Sequence, residues 1–162
     1  MTTNIFEYIK QTRNVFITLV EELDEEALNT VPIGFRNNIA WNFGHIVVST
    51  LGLCYRRTGV IPDQEIPFVA RYAKGTKPEE QVTMAEIALL KVQALESVEQ
   101  IEADYTNGLF ARITPYATST YGIEMDTIEK VLTASLAHDN MHLGYAMALK
   151  NIINEQKSQL HK

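Results

Sequence analysis

Four long segments of the chain repeat their apolar residues every three to four positions, which is the period of an amphipathic α-helix. No stretch of comparable length alternates apolar and polar residues as a half-buried β-strand would. The sequence therefore predicts an all-α protein with helices over about 4–23, 38–58, 84–105 and 127–154. Helices of similar length, in a chain of 162 residues, predict a four-helix bundle that forms a single domain over residues 1–162.

Capping signals and turn residues divide these segments. Residue pairs typical of a capping box precede three of the helices: Asn4 with Glu7, Thr83 with Glu86, and Asp126 with Glu129. Asn37 or Asn38 can cap the second helix. A short helical turn is expected at DEEALN, after the first helix. Residues 60–80 and 106–125 are rich in Pro, Gly, Thr and Tyr, which predicts two long connecting loops.

Charge and composition narrow the function classes. The net charge is −6, and without a basic face the chain is not expected to bind nucleic acid. No apolar run approaches the roughly 20 residues of a membrane-spanning helix, and no signal peptide is evident at the N-terminus. The single cysteine, Cys54, cannot form an internal disulfide and is expected to be a buried hydrophobe. These features predict a cytoplasmic protein.

Three of the four histidines fall on positions predicted to face the core. In LAHDNMHLGYAMALK, residues 136–150, His138 and His142 stand four apart, so both rings project from one face of a helix. Counting alternately three and four residues along the second helix follows its apolar face, and His45 falls on that inward face. The fourth, His161, belongs to a polar tail and is expected to be exposed.

Two interpretations of these histidines are open. A single inward histidine is more often a hydrogen-bonded core residue, and an i, i+4 pair occurs on many helices by chance. Three inward rings on two helices make a shared metal ion about as well supported as the structural interpretation. Three protein ligands leave a coordination position open, which is typical of catalytic zinc sites, although imidazole also suits nickel, copper and iron.

The order and spacing of these residues resemble a known family. Trp41-x-x-x-His45, within AWNFGHIVVS, is followed 93 residues later by HDNMHLG, which starts at His138. This arrangement is similar to the DinB/YfiT-like superfamily, and the similarity covers nearly the whole chain. The resemblance implies a bundle of four helices in which His45, His138 and His142 hold a divalent metal ion, zinc or nickel, at one end.

The resemblance also implies a class of chemistry. Characterised relatives include transferases and isomerases that use low-molecular-weight thiols, and others are described as metal-dependent hydrolases. We therefore expect a metal-dependent enzyme that activates water or a small thiol and acts on a small-molecule substrate. The resemblance is also compatible with a homodimer. Tyr145 stands where many relatives have glutamine, so a non-catalytic, metal- or ligand-binding protein that dimerises is the alternative.

Other polar and aromatic residues are candidates for the site. Asp139 is expected to accept a hydrogen bond from a ligating histidine or to act as a base, or else to be an exposed or ion-paired carboxylate. Arg13 interrupts the apolar face of the first helix and could anchor an anionic substrate, pair with a buried carboxylate, or lie on the surface. Trp41, Asn42 and Tyr145 are candidate pocket residues. Loop side chains could cover the site or simply the core: Arg71, Tyr72, Tyr116 and Tyr121.

Overall fold

Helices make up most of the structure. A computed structural model describes residues 2–160, with side chains from Asn4 to Gln159. In chain order the helices are α1 (Thr2–Glu21), α2 (Glu25–Asn29), α3 (Ile39–Leu51), α4 (Val69–Tyr72), α5 (Met84–Thr106) and α6 (Ile128–Leu160). α3 continues directly into a π-helical turn, Gly52–Arg56. The all-α prediction is confirmed by this composition.

Side-chain caps fix the starts of two long helices where the sequence predicts them. Asn38 accepts a hydrogen bond from the backbone N–H of Trp41 at the start of α3. Thr83 accepts one from Glu86 at the start of α5. Each cap satisfies a backbone donor that has no partner within the helix, which is worth about 1 kcal/mol. The predicted short turn at DEEALN is α2, and Asp24 caps it.

Four predicted helix boundaries differ from the structure. The cap of α6 is Thr127 rather than Asp126: Thr127 accepts the N–H of Lys130 at 3.4 Å, and Asp126 forms an ion pair with the Lys130 side chain. α1 already begins at Thr2 and α6 continues to Leu160. This is because no glycine or proline stands at the predicted start of α1 or at the predicted end of α6. The second predicted helix is not α-helical throughout, since its last part is the π turn.

The two predicted loops contain short regular elements. A two-residue antiparallel ladder joins β1 (Tyr116–Ala117) and β2 (Glu124–Met125) in the second loop, so the prediction of no strand is wrong there. Strands of two residues are too short to show an alternating pattern. α4 occupies part of the first loop.

The long helices pack around one core. α1 and α3 each contact both α5 and α6. Buried aromatic side chains join them; the rings of Phe16 and Phe43, for example, lie 5.1 Å apart. Each such side chain contributes about 1.5–3 kcal/mol through burial. The inward faces of α3 and α6 lie against each other in this core, which positions the histidines that they carry.

None of the helices within residues 2–160 combines the length and the apolar character that crossing a membrane requires.

Candidate metal centre

The three inward histidines come together between α3 and α6. One ring nitrogen from each of His45, His138 and His142 lies within 4.8 Å of the other two. The ring centroids are 4.5–5.1 Å apart. An i, i+4 pair on α6 and one histidine on α3 therefore form one compact cluster. His161 lies outside the described residues.

The tautomer of His45 is fixed by a backbone carbonyl. Its Nδ1 lies 2.7 Å from the oxygen of Tyr72, in α4. Because a carbonyl only accepts hydrogen bonds, Nδ1 carries the proton and Nε2 keeps its lone pair. The ring stacks on Trp41 at a centroid distance of 4.6 Å. Burial lowers the pKa of His45 to about 4, so the ring is neutral at pH 7.

The tautomer of His142 is fixed by Asn42. The Nδ1 of His142 lies 2.7 Å from the side-chain oxygen of Asn42. The Asn42 amide cannot present its nitrogen instead, because that nitrogen donates to the backbone oxygen of Asn38 at 2.7 Å. His142 therefore donates from Nδ1 and keeps its lone pair on Nε2. Burial, followed by the neighbouring histidines, lowers its pKa to about 3.

His138 has an unused acceptor beside it. Its Nδ1 lies 3.9 Å from Oδ1 of Asp139. Among the described residues, neither of these two buried atoms has a hydrogen-bond partner. The predicted hydrogen bond from a histidine to Asp139 is not formed in this structure.

Arg13 holds the other oxygen of Asp139. The guanidinium and the carboxylate are both fully buried, and Nε donates to Oδ2 at 3.1 Å. The remaining guanidinium donors are also used, by acceptors on α5 and α3: Ala94 O, Ser97 Oγ, Ile46 O and Thr50 Oγ1. Of the three interpretations of Arg13, pairing with a buried carboxylate is the one observed. No donor is left to anchor a substrate.

The histidine cluster fits a divalent cation. Nδ1 of His45 and Nδ1 of His142 each donate to an acceptor. In these two rings, the lone pair available to an ion is therefore that of Nε2. Within residues 4–159, the one donor next to these lone pairs is the Ser49 hydroxyl, 3.3 Å from Nε2 of His45. A divalent cation would take up the converging lone pairs of the three rings together, which a single hydroxyl cannot do. If the histidines were only hydrogen-bonded core residues, the contacts of Nδ1 in His45 and His142 would be explained. The close approach of one nitrogen from each of the three rings would not be.

A cavity of about 540 Å³ adjoins the cluster. His45 and His138 line it, together with the π turn that follows α3 and the hairpin residues 117–121. This volume is in the range of small-molecule sites. Of the loop residues predicted to cover the site, Tyr121 lines the cavity, whereas Tyr116 donates its hydroxyl to the Leu53 carbonyl.

The family comparison agrees with this geometry. The model of the DinB superfamily matches residues 8–146. The chain belongs to the DinB superfamily. Members of this superfamily typically bind metal, and together with the three-histidine cluster this indicates a divalent metal ion. No curated protein matches the chain significantly.

The two aromatic pocket candidates, Trp41 and Tyr145, are not among the described residues that line this cavity. Trp41 is 5% exposed, lies behind His45 and donates its indole N–H to Thr76. Tyr145 is 37% exposed, and its ring packs at 5.7 Å against the edge of Phe35. The stepping of three and four residues breaks down there, since Ala146 takes the buried position.

The Tyr72 carbonyl is a functional group that the sequence pattern missed. It orients His45, yet a backbone oxygen carries no signal in a motif. The available signal was Gly44, one residue before His45. A Cβ at Gly44 would lie 2.5 Å from the Tyr72 ring, so this glycine is what allows the loop to approach α3. Arg71, in the same loop, pairs with Glu86 instead of lining the site.

Proposed function

We propose that this DinB superfamily protein is a metal-dependent enzyme in which His45, His138 and His142 hold one divalent ion, zinc or nickel. The convergence of three ring nitrogens beside a cavity of small-molecule size supports this most strongly. With a coordination position open, such an ion lowers the pKa of water or of a thiol and supplies a nucleophile near neutral pH.

The surroundings of the cluster favour a small thiol over water. Asp139, the candidate base, is fully buried against Arg13. Among the described residues that line the cavity there is no carboxylate. Hydrolysis commonly uses a positioned base to remove a proton from water. A thiol has a pKa of about 8.5 and becomes nucleophilic on losing its proton, which needs no protein base once a cation is near. We therefore place thiol S-transfer ahead of hydrolysis.

The proposal includes the setting of the site. The long helices α1, α3, α5 and α6 would form the four-helix bundle of a single domain, with the cluster at one end. The protein would act in the cytoplasm, as a homodimer, on a small-molecule substrate. It would not bind nucleic acid, which is consistent with its net charge of −6.

A non-catalytic protein that binds metal or a small ligand and dimerises is the second candidate. Two observations favour it: no described residue that lines the cavity is a carboxylate, and Tyr145 is exposed. Such a protein would bind the ion at the same three histidines and show no turnover.

Metal analysis of the full chain, purified without an affinity tag, tests the site. We expect one equivalent of zinc or nickel per chain in the native protein and less than a tenth of that in His142→Ala. His161→Ala is the matched control and should retain the metal. If the native protein binds no zinc, nickel or manganese after supplementation, or if the two variants lose metal equally, the proposed site is wrong.

A substrate screen then separates the candidate functions. The metal-loaded protein is assayed for transfer of common cellular thiols to electrophiles and, in parallel, for cleavage of esters and amides. Thiol transfer that His142→Ala abolishes would support the proposal. Ester or amide cleavage would select hydrolysis instead. Binding of thiols without turnover in either panel would favour the non-catalytic protein.

A further inference from the structure

The cavity beside the histidines carries charge of one sign. Three basic side chains line it: Arg56, Arg57 and Lys74. Among the described lining residues none is acidic, although the chain has 20 acidic and 14 basic residues. Composition alone would predict the opposite balance. A concave surface with charges of one sign concentrates ligands of the other sign.

The helix geometry places the two arginines away from the histidines but on the same cavity. Arg56 follows His45 by eleven residues, or about 16 Å along the helix at 1.5 Å per residue. Both arginines fall in or next to the π turn Gly52–Arg56, which closes with the Arg57 N–H donating to the Gly52 carbonyl. π turns within helices are frequent at functional sites. Here the turn brings two consecutive arginines to one cavity.

Each basic side chain is anchored without using all of its donors. Nε of Arg56 donates to the Gln64 carbonyl at 2.8 Å, and its terminal nitrogens have no partner among the described residues. Arg57 lies over the Tyr116 ring at 4.7 Å and gives one donor to the Ala117 carbonyl. These anchors hold the cations in position and leave further N–H groups for a ligand.

The surface between the two ends of the cavity is mainly apolar. It is lined by side chains from α3, the π turn, the loop after that turn, α4 and α6: Val48, Leu53, Ile66, Val69 and Ala134. Gly52 contributes no side chain, and even a Cβ there would meet its nearest neighbour, Ile66, at 3.9 Å. An apolar segment of a ligand can therefore lie along this part of α3.

We propose that this cavity binds an elongated organic anion, with an apolar body and a carboxylate that reaches Arg56 and its neighbouring cations. The opposite end of the ligand lies at the histidines, and for that end the inference rests on the proposed metal site. A carboxylate suits the guanidinium because two parallel N–H···O bonds can form. The neutral imidazoles leave the charge of a divalent ion uncompensated, which favours an anion further.

Paired thiol probes test the proposal on the cobalt-loaded full chain. Mercaptohexanoate and mercaptohexanol differ only in the terminal group, and the thiolate–cobalt absorption band reports the binding of each. We expect the carboxylate to bind about tenfold more tightly, which is the lower end for a charge-assisted hydrogen bond at a partly exposed site. Raising the ionic strength should reduce this ratio, because partly exposed charges are screened.

Two variants and a control identify the groups responsible. Arg56→Gln should reduce the ratio to within twofold of one, and Lys74→Gln should reduce it partly. Arg112→Gln, an arginine outside this cavity, should leave the ratio unchanged. Circular dichroism verifies that each variant keeps its helix content. A native ratio near one, or an equal loss of the ratio in Arg112→Gln, would overturn the proposal.

A metal-free arm keeps the result separate from the proposed function. The metal-free protein is titrated with octanoate and octanol, and the fluorescence of Trp41, the single tryptophan, reports binding. Preference for octanoate that Arg56→Gln removes supports the anion site even if cobalt does not bind. Cobalt binding without any preference for carboxylate refutes the anion site and leaves the metal centre standing.

Discussion

Replacing Gly44 by alanine tests how closely the 60–80 segment is packed against α3. The added Cβ would lie 2.5–2.7 Å from three carbon atoms of the Tyr72 ring, at the end of the ring nearest the backbone. Ordinary contact begins at 3.4 Å, so the ring would have to move by about 1 Å. It cannot swing away freely, because the Tyr72 hydroxyl donates to Glu86 and its carbonyl accepts from His45.

Gly144→Ala is the matched control for this substitution. Gly144 also lies within a helix, but nothing stands within 4 Å of the position that its Cβ would take. Both variants gain about 0.5–1 kcal/mol in helix propensity. Gly44→Ala also incurs the overpacking cost, about 1–3 kcal/mol. The propensity gain cancels between the two variants, so we expect Gly44→Ala to be less stable than Gly144→Ala by about 1–3 kcal/mol.

Thermal and urea unfolding measure the stability difference. For a chain of this size each kcal/mol shifts Tm by about 2–4 °C, so the two variants should differ by about 2–12 °C. Displacement of the Tyr72 carbonyl should also weaken metal binding in Gly44→Ala by about 10–100-fold, as measured by titration with a chelator of known affinity. Equal Tm values would refute the packing, and equal metal affinities would refute the role of Tyr72 in orienting His45.

Three further predictions concern the polar groups around the site. Arg13→Met should lower the free energy of unfolding by about 3–5 kcal/mol, because it leaves Asp139 buried without a counter-charge. Urea titration should show that the double variant Arg13→Met/Asp139→Leu is more stable than Arg13→Met. A double variant less stable than Arg13→Met would contradict this explanation. Asn42→Leu should weaken metal binding by about 10–100-fold because Nδ1 of His142 loses its acceptor. In the same chelator assay, Asn42→Asp should bind metal at least as tightly as the native protein. Metal affinity in Asn42→Leu equal to that of the native protein would show that this hydrogen bond does not matter. The pKa values of His45 and His142, about 4 and about 3, lie below the unfolded value of about 6.5. The unfolded chain therefore binds more protons, and the metal-free protein should lose stability as the pH falls from 6.5 to 4.5. Urea titrations should show that stability depends less steeply on pH in His45→Gln/His142→Gln, and an unchanged dependence would assign it to other groups.

The inward positions of the histidines were predictable because helical periodicity depends on local spacing alone. Stepping by three and four residues identifies the buried face of a straight helix, and it places His45, His138 and His142 without any knowledge of the fold. The method fails where the face drifts, which is why Tyr145 appears inward in the pattern and is 37% exposed in the structure. The caps at Asn38 and Thr83 were predictable for the same local reason.

Groups that depend on contacts distant in sequence were not predictable. The partner of His142 is 100 residues away, at Asn42, and the oxygen that orients His45 belongs to the backbone of Tyr72. The π turn Gly52–Arg56 inserts into an otherwise helical pattern and leaves no signature in composition. The role of Arg13 was one of three alternatives until its partner on α6 was known.

The contacts of Arg13 also determine how far the helices can slide past one another. Apolar interfaces tolerate small axial shifts, because one methyl group can replace another. Arg13, on α1, has fixed hydrogen bonds to acceptors on α3, α5 and α6, and a shift of any one helix would leave a buried donor or acceptor unpaired. We therefore expect this side chain to specify a single axial register, as buried polar residues do in coiled coils. A designed bundle that borrowed only the three histidines would carry the ligands without the residue that keeps them level with one another.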